Sequence, residues 1–294
     1  MKSVIVTGAS GFLGYHLVSA LQKDNVFVYA VVRPKSKTKE RLANFKNIKI
    51  LEIDMNNITE IEQRHLNDCE CFYHLAWEGG RNDFFAQNKN IEYTLAALEI
   101  AKNIGCKRFI CTGSQAEYGL CNEIITEEIL PKPNTAYGSA KLATCHLTKI
   151  RAEQVGIEWV WVRVFSIYGK YDGVDCLIPY LIHSLENEET PKLTECLQNW
   201  DYLYAPDAAN ALISLRQKGH SGEIYNLASG DVHPLRFFVE EIYKNFVSHK
   251  EAFFGKENRM IVSLRPSIKK IQGHTGWKPQ TSFLDGIGDM IEKR

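Results

Sequence analysis

The stretch VIVTGASGFLGYHLV, residues 4–18, determines how the rest of the chain folds. Its β-branched run stops at Gly8, and apolar residues then recur with the spacing of an α-helix, so the pattern predicts a strand that turns directly into a helix. Glycines at that junction allow a tight turn and a close approach to an anion, which the free N–H groups of a helix start favour. An ordinary strand-to-helix turn is the alternative. The residues predicted to bind the pyrophosphate of a dinucleotide are Gly8, Ser10, Gly11, Phe12, Leu13 and Gly14.

Length and composition indicate a neutral globular protein. The 294 residues are enough for a large domain with a smaller one packed against it. Because 35 basic and 35 acidic residues balance, we expect small-molecule partners and neither nucleic acid nor a membrane. No signal peptide or long apolar run is present, which favours a cytoplasmic protein. The eight cysteines and nine histidines lack metal-binding spacing, so no metal is expected.

The second predicted strand, residues 26–32, is followed by a basic loop. An acidic side chain at this point would accept hydrogen bonds from both hydroxyls of the adenosine ribose and select NAD. This chain has Arg33 there, with Lys35 and Ser36 after it, and a guanidinium matches a 2′-phosphate in charge and geometry. We therefore predict that these residues bind NADP and that NADPH is preferred over NADH. A solvated basic loop is the alternative.

Two further strands are predicted over residues 48–53 and 71–76, with helical segments between strands. This alternation favours an α/β fold with a doubly wound parallel sheet of the Rossmann type, in which ligands lie at the carboxyl ends of the strands. Asp54 there is interpreted either as a contact to the adenine edge or as a turn residue only. The side chains assigned to the cofactor site at these ends are Asp54, Met55, Leu75, Ala76 and Trp77.

A serine, a tyrosine and a lysine are predicted to meet at the mouth of this site. The fifth strand, residues 108–112, runs into Ser114. Tyr137 and Lys141 lie four residues apart at the start of a later helix, and hence on one face of it. A neighbouring ammonium stabilises a phenolate, so Lys141 is expected to lower the pKa of Tyr137 and make it a general acid near neutral pH. A surface pair is the alternative for this short motif alone, whereas its combination with Ser114 and the glycines favours a catalytic site.

In this order the motifs resemble those of the extended short-chain dehydrogenase/reductase family, which contains nucleotide-sugar epimerases, dehydratases and reductases. The resemblance implies that Tyr137 donates or accepts the proton and that Ser114 hydrogen-bonds the reacting oxygen. It also implies that Tyr137 and Lys141 contact the cofactor, Lys141 at the nicotinamide ribose. The resemblance runs nearly end to end, through TGASGFLG (7–14), Asp54, HLA (74–76), SQAEYG (114–119), YGSAK (137–141), RVFSIYG (163–169), WDYLYAPDAA (200–209), YNLASG (225–230) and GWKP (276–279).

One departure from the family pattern bears on the type of reaction. Dehydratases of the family place an Asp-Glu pair directly after the catalytic serine or threonine, where elimination of water needs an acid and a base. This chain has Gln115 and Ala116 at those positions, which argues against a dehydratase. Glu117 lies one place later and is interpreted as an exposed or structural carboxylate.

Other departures concern the substrate. Ser166 stands where many relatives carry an asparagine, and Trp200 stands where epimerases often carry a phosphate-binding arginine, so both argue against a standard UDP-sugar epimerase site. Leu177 lies in a segment resembling the one that packs on the nucleobase. Arg265 is the remaining candidate for the diphosphate, with a core or salt-bridge role as the alternative. The substrate residues implied by the resemblance are Ser114, Gln115, Ser166, Leu177, Trp200 and Arg265.

The segments NWDY (199–202) and QAEY (115–118), together with Arg33, are most similar to reductases of 4-keto-6-deoxy sugars, such as CDP-paratose and CDP-abequose synthases. We expect NADPH-dependent reduction of the 4-keto group of a nucleotide-diphosphate sugar. The alternatives are an NAD-dependent nucleotide-sugar 4-epimerase and a non-catalytic NADP-binding sensor or scaffold.

The resemblance also implies how the chain is divided and how it assembles. A dinucleotide-binding domain is predicted over residues 1–165 and about 201–228. A smaller mixed α/β domain that binds the nucleotide sugar is predicted over about 166–200 and 229–294. Relatives commonly dimerise through the helices predicted here at 88–103 and from 137 to 151, so we expect a homodimer.

Overall fold

Runs of β-branched and aromatic residues form eleven strands among the residues that the computed structural model describes, namely 2–64, 66, 68–246, 252–256 and 263–292. In chain order the strands are β1 (Ser3–Thr7), β2 (Phe27–Val32), β3 (Ile48–Glu52), β4 (Cys69–His74), β5 (Arg108–Ser114), β6 (Glu158–Val164), β7 (Ile167–Tyr168), β8 (Asn199–Asp201), β9 (Leu203–Tyr204), β10 (Glu223–Leu227) and β11 (Val232–Pro234). The helices are α1 (Phe12–Lys23), α2 (Phe84–Asn103), α3 (Ala136–Val155), α4 (Leu177–Glu186), α5 (Ala205–Lys218), α6 (Leu235–Phe246), α7 (Lys269–Thr275) and α8 (Phe283–Glu292). Three 3₁₀ helices cover Lys37–Leu42, Met55–Arg64 and Gln115–Glu117.

Seven of these strands form one sheet in the order β3-β2-β1-β4-β5-β6-β10, and every neighbouring pair is parallel. After β1 the chain adds β2 and then β3 on one side. It then crosses to the other side of β1, where it adds β4, β5, β6 and finally β10. The order therefore reverses between β1 and β4, and in such sheets ligands bind beside the carboxyl ends of the strands at the reversal. The predicted doubly wound Rossmann fold is confirmed, including the return of one late strand to the main sheet.

The sheet is covered on both faces because its strands are apolar on both sides. Buried residues of α2 and α3 form one apolar cluster with the sheet, and buried residues of α1 and α5 form a second cluster. Two smaller clusters join α4, α6 and α8 to the short strands, which pair as β8 with β11 and β7 with β9. This second set of elements agrees with the expected smaller α/β unit, while the domain boundaries stay a prediction.

Some predicted bounds were wrong by a few residues. The helix expected from 88 begins at Phe84, because the Asp83 carboxylate accepts a hydrogen bond from the Ala86 N–H and caps it there. The strand expected over 71–76 ends at His74, so Leu75 and Ala76 lie beyond it. Within the ranges given above, no helix combines the length and the apolar character that crossing a bilayer requires.

Asp201 connects the smaller unit to the sheet through hydrogen bonds. It is fully buried at the end of β8, and its carboxylate accepts hydrogen bonds from the Ser229 N–H and hydroxyl and from the Gly230 N–H. Ser229 and Gly230 follow β10, so this contact ties the smaller unit to the outer strand of the sheet. Burial raises the pKa of Asp201 to about 6.

Candidate active site

The turn between β1 and α1 requires glycine at two positions. Gly8 has φ +67°, a conformation that disfavours a side chain, and a Cβ there would lie 2.9 Å from the Ala76 nitrogen. A Cβ at Gly14 would lie 2.1 Å from the Gly8 carbonyl oxygen, so the first turn of α1 packs directly against the end of β1. Gly11 caps α1 without a side-chain hydrogen bond to the free N–H groups. This geometry suits a phosphate group at the start of the helix.

A cavity of about 370 Å³ opens beside this turn, at the reversal of the sheet. Most of its lining was predicted from the sequence, which missed Val31, Val32, Thr38, Glu78 and Gly79. The lining residues are Gly8, Ser10, Gly11, Val31, Val32, Arg33, Ser36, Thr38, Met55, Leu75, Ala76, Trp77, Glu78 and Gly79.

Seven predicted cofactor residues do not line this cavity: Tyr137 and Lys141, which are described below, and five others. Leu13 packs against the core and Gly14 against the Gly8 carbonyl, so both shape the turn from behind. Lys35 is exposed in a left-handed conformation with φ +58°. Asp54 accepts a hydrogen bond from the Asn56 N–H at 3.0 Å, as a turn residue does. Phe12, the fifth, packs edge-on against the His16 ring.

Three hydroxyl groups meet at the end of the cavity that holds Arg33. The Thr38 hydroxyl donates to the Ser10 hydroxyl at 2.8 Å, and the Ser36 hydroxyl lies 2.9 Å from that of Thr38. The Arg41 guanidinium donates to the Ser10 carbonyl oxygen at 3.2 Å. Sequence reasoning missed Thr38 and Arg41. The run of charged residues over 35–41 was the feature of the sequence that could have indicated them. The 3₁₀ helix at Lys37–Leu42 brings Thr38 and Arg41 back to the glycine turn.

The structure brings Ser114, Tyr137 and Lys141 together. Ser114 ends β5, and its side chain is hydrogen-bonded to that of Tyr137, which lies in the first turn of α3. Lys141 follows one turn later, is buried, and donates to the Thr112 carbonyl oxygen at 2.6 Å. Its Nζ lies 5.9 Å from the centroid of the Tyr137 ring. The predicted catalytic residues therefore share one site.

The expected effect of Lys141 on the pKa of Tyr137 was wrong. Burial raises the pKa of Tyr137, and the Ser114 hydrogen bond and the Arg81 charge oppose this rise. Burial also lowers the pKa of Lys141 to about 8. The spacing of four residues did place both groups on one face of α3, but it carried no information about burial, which dominates both groups.

Trp77 connects the cavity to the catalytic residues. The Lys141 ammonium lies 3.6 Å from the centroid of the indole, a cation–π contact, and the Tyr137 ring meets the indole edge-on at 6.1 Å. The indole N–H donates to the side chain of Gln87 at 2.8 Å. Gln87 is fully buried and also donates to the Gly80 carbonyl oxygen, so the indole plane is fixed. Sequence reasoning missed Gln87, since it lies before the predicted start of α2.

The sequence model of the NAD dependent epimerase/dehydratase family matches residues 4–228. The chain belongs to this family. It is 25% identical to the dTDP-4-dehydro-6-deoxyglucose reductase of Escherichia coli over 99% of this chain and 97% of that protein. It is 24% identical to the CDP-abequose synthase of Salmonella muenchen over 100% of this chain and 98% of that one. A solved UDP-N-acetylglucosamine 4-epimerase from Methanobrevibacter ruminantium M1, in complex with UDP-N-acetylmuramic acid, has a TM-score of 0.89 at 24% identity and covers 100% of both chains.

Family membership confirms the predicted relationship to the extended short-chain dehydrogenases/reductases. It also makes this epimerase/dehydratase family member an NAD(P)-dependent enzyme. In the structure, the glycine turn and the cavity are connected through Trp77 to the cluster of Tyr137 and Lys141.

The residues that the resemblance assigned to the substrate lie in different surroundings. Leu177, the first residue of α4, and Trp200 of β8 pack against the same small apolar cluster around Leu235. The Ser166 carbonyl oxygen accepts from the Leu203 N–H at 2.9 Å. Arg265 is exposed and lies outside that apolar cluster. The structure thus places Leu177 and Trp200 against one apolar cluster.

The position after Ser114 carries no carboxylate that faces a substrate. Gln115 is half-buried, Ala116 is buried, and Glu117 is fully buried, with its carboxylate bound to the Arg163 guanidinium at 2.7 Å. Of the two roles considered for Glu117, the structure shows the structural one. In this epimerase/dehydratase family member Glu117 cannot serve as the acid or base of a water elimination without leaving its ion pair.

Proposed function

We propose that the protein is a reductase that uses NADPH to reduce the 4-keto group of a nucleotide-diphosphate 4-keto-6-deoxy or dideoxy sugar. The observation that carries this proposal is the cluster of Arg33, Ser36 and Thr38 in the cavity lining, in which the Ser36 and Thr38 hydroxyls lie 2.9 Å apart. Such a cluster fits the 2′-phosphate that distinguishes NADPH from NADH. An exchangeable NADPH suits a net reduction, and two relatives named above, a dTDP-sugar reductase and CDP-abequose synthase, support this choice.

The residues present fit a dinucleotide. Gly8, Gly11 and the first turn of α1 would hold the pyrophosphate, because the start of a helix favours an anion. A side chain at Gly8 or Gly14 would collide with backbone, so this tight turn requires glycine at both positions. Arg33 and Ser36 would hold the 2′-phosphate, and Met55, Leu75, Ala76 and Trp77 would line the remaining length. When bound, the cofactor supplies the hydride for the carbonyl carbon.

The chain itself supplies the proton and stabilises the developing charge. Tyr137 donates the proton of its hydroxyl to the carbonyl oxygen as that oxygen gains negative charge. Ser114, already hydrogen-bonded to Tyr137, donates to the same oxygen. Lys141 is charged below about pH 8, and its ammonium is held between the Thr112 carbonyl and the Trp77 indole, where we propose that it holds the nicotinamide ribose. The buried surroundings strengthen each of these interactions.

The substrate side of the site belongs to the same proposal. Leu177 and Trp200 share an apolar cluster that offers a surface for the nucleobase. Exposed Arg265 offers a charge for the diphosphate, and Gln115 and Ser166 are the proposed contacts to the sugar. These residues lie mostly in the smaller domain, for which we propose 166–200 and 229–294, with the dinucleotide domain at 1–165 and 201–228.

The test is loss of NADPH absorbance when purified protein is mixed with CDP-, dTDP-, GDP- or UDP-linked 4-keto-6-deoxy sugars. Consumption of NADPH with one of them supports the reductase and identifies the nucleotide. A protein that binds NADPH and turns over none of the sugars would contradict it and support a sensor or scaffold.

A nucleotide-sugar 4-epimerase is the second candidate. The similarity of the whole fold to the UDP-N-acetylglucosamine 4-epimerase favours it, and an epimerase would use the same serine, tyrosine and lysine. An epimerase returns the hydride to the sugar and keeps its cofactor. Protein that purifies with bound NAD and interconverts 4-hydroxy sugars without added cofactor would therefore replace the reductase by the epimerase.

We expect Arg33→Ala to weaken NADPH binding about tenfold to a hundredfold, because a hydrogen bond between charged groups contributes about 1.5–3 kcal/mol. The affinity for NADH should change by less than about twofold, since NADH lacks the 2′-phosphate. Fluorescence titration of both cofactors measures this. Lys46→Ala is the matched control, as it removes an exposed positive charge of the same region away from the cavity. Equal loss of both affinities in Arg33→Ala would contradict the assignment.

We also propose a homodimer formed by α2 and α3. Both helices expose large apolar side chains, among them Phe84, Phe85 and Ile150. We expect Ile150→Glu to dissociate the dimer, because a charge would be buried in the interface. Light scattering measures the mass. Leu130→Glu, a substitution at a more exposed leucine in a loop, is the control and should leave the mass unchanged; a monomeric wild-type protein would overturn the proposal.

A further inference from the structure

We propose that Glu117 is a positioning residue, which fixes the orientation of Ser114 and holds a negative charge directly behind Ser114, Tyr137 and Lys141. This inference rests on the proposed function for its kinetic readout. The sequence analysis assigned no catalytic role to Glu117, and this residue does not line the cofactor cavity. Its contacts nevertheless reach the catalytic serine directly.

The Glu117 side chain binds the backbone of Ser114, and the Ser114 hydroxyl binds the backbone next to Glu117. The Glu117 carboxylate accepts from the Ser114 N–H at 2.8 Å, and the Ser114 hydroxyl oxygen accepts from the Ala116 N–H at 3.2 Å. Together these contacts form a complete capping box around the 3₁₀ helix. Because the serine oxygen accepts this backbone hydrogen bond, its position at the end of β5 is fixed, and its interaction with Tyr137 lowers the pKa of that phenol.

The carboxylate is itself fixed on every side. Glu117 has 0% exposure, and it accepts from the Trp161 indole N–H at 3.0 Å and from the Arg163 guanidinium at 2.7 Å. The guanidinium in turn lies 4.4 Å from the Tyr118 ring centroid. A Cβ at Gly113 would lie 2.3 Å from the carboxylate oxygen, so β5 has been kept free of a side chain at this point.

The negative charge acts on the proton-transfer residues. It raises the pKa of Tyr137. Burial lowers the pKa of Lys141, Cys111 and Glu117 partly oppose this, and the resulting pKa is about 8. Glu117 therefore keeps the ammonium charged to a higher pH than its burial would allow. The other titratable or charged groups that interact with Tyr137 or Lys141 are Arg81 before α2, His74 of β4 and Cys111 of β5.

The test removes the negative charge of Glu117 and keeps the size and shape of its side chain. Glu117→Gln retains an oxygen for the Ser114 N–H but leaves the Arg163 charge without its partner, so Glu117→Gln/Arg163→Met, which removes both charges, is made beside it. Glu127→Gln is the matched control, since Glu127 is also a largely buried carboxylate that accepts a backbone N–H, from Asn226 at 2.8 Å. Glu127 does not act on the pKa of Tyr137 or Lys141.

Two readouts separate this inference from the proposed function. The first is titration of Lys141 by NMR in protein labelled with ¹³Cε-lysine, its signal assigned by its absence in Lys141→Met. Removing a negative charge lowers the pKa of an ammonium, so we expect a downward shift of about one unit in both Glu117 variants and none in Glu127→Gln. The second is the pH profile of kcat for NADPH-dependent reduction, whose basic limb should move to lower pH by the same amount.

An unchanged Lys141 titration in both Glu117 variants would overturn the inference and leave Glu117 a residue of the core only. The NMR titration needs neither substrate nor turnover. If the wild-type protein reduces none of the sugars, the proposed function fails while the titration still decides the role of Glu117. If the wild-type protein reduces a sugar and the basic limb stays in place in the variants, the inference alone fails.

Discussion

Turnover by Tyr137→Phe should fall by about 10²–10⁴-fold, the range expected for loss of a positioned general acid. The variant removes one hydroxyl group, which is hydrogen-bonded to Ser114, and keeps the ring that meets the Trp77 indole at 6.1 Å. The cavity lining does not include Tyr137, so the Kd for NADPH should stay within about twofold of the wild-type value. Initial rates of NADPH consumption give kcat, and fluorescence titration gives the Kd.

The control for this variant is Tyr93→Phe. Tyr93 is a buried tyrosine of α2 whose hydroxyl donates to the Asn56 side chain at 2.6 Å, away from the catalytic residues. Its loss should leave kcat within a factor of two. If Tyr137→Phe keeps more than a tenth of the wild-type kcat, Tyr137 is not the general acid and the proposed mechanism is wrong.

The second large effect concerns stability. We expect Arg163→Met to lower the free energy of unfolding by about 3–5 kcal/mol, because it leaves the fully buried Glu117 carboxylate without its ion-pair partner. The double variant Glu117→Gln/Arg163→Met removes both charges and should recover most of that loss. Urea unfolding followed by circular dichroism measures the free energies, with unchanged slopes as the check that the folded states are comparable.

An exposed ion pair provides the comparison. Arg64 and Glu60 lie one turn apart with side chains 45% and 41% exposed, so Arg64→Met should change stability little. If Arg163→Met were as mild as Arg64→Met, the buried pair would not be a fixed element of the core. Recovery in the double variant is the part of the result that isolates the unpaired charge from the lost volume of the arginine.

Much of the fold could be predicted, and so could the proximity of Ser114, Tyr137 and Lys141, because each depends on a local pattern. The glycine spacing after β1 and the helical spacing of Tyr137 and Lys141 are visible within a few residues. The start of α2 was predicted late for an equally local reason. Gln87 and Asn90 are fully buried polar residues that bind the backbone of the preceding loop, so they interrupt the apolar periodicity on which the prediction relied.

The rest of the site depends on contacts between residues far apart in the chain. Glu117 lies in the 3₁₀ helix after β5, whereas Arg163 lies in β6. Neither residue by itself indicates in the sequence that the two form an ion pair. Thr38 and Arg41 reach Ser10 only because a 3₁₀ helix folds the basic loop back. The direction of the pKa shift of Tyr137 is decided by burial, which is a property of the packed molecule.

The position of β10 bears on how the protein is made in the cell. This strand pairs with β6, yet it is synthesised only after the chain has passed through residues 165–222. Until then the nascent polypeptide carries β6, with Trp159, Val160 and Trp161, as an open edge of the growing sheet. Unpaired strand edges can pair with other chains and lead to aggregation. The edge of β6 is therefore protected only after β10 has been synthesised and has paired with it. We therefore expect a polypeptide that is truncated after β6 to aggregate, because it lacks the strand that covers this edge.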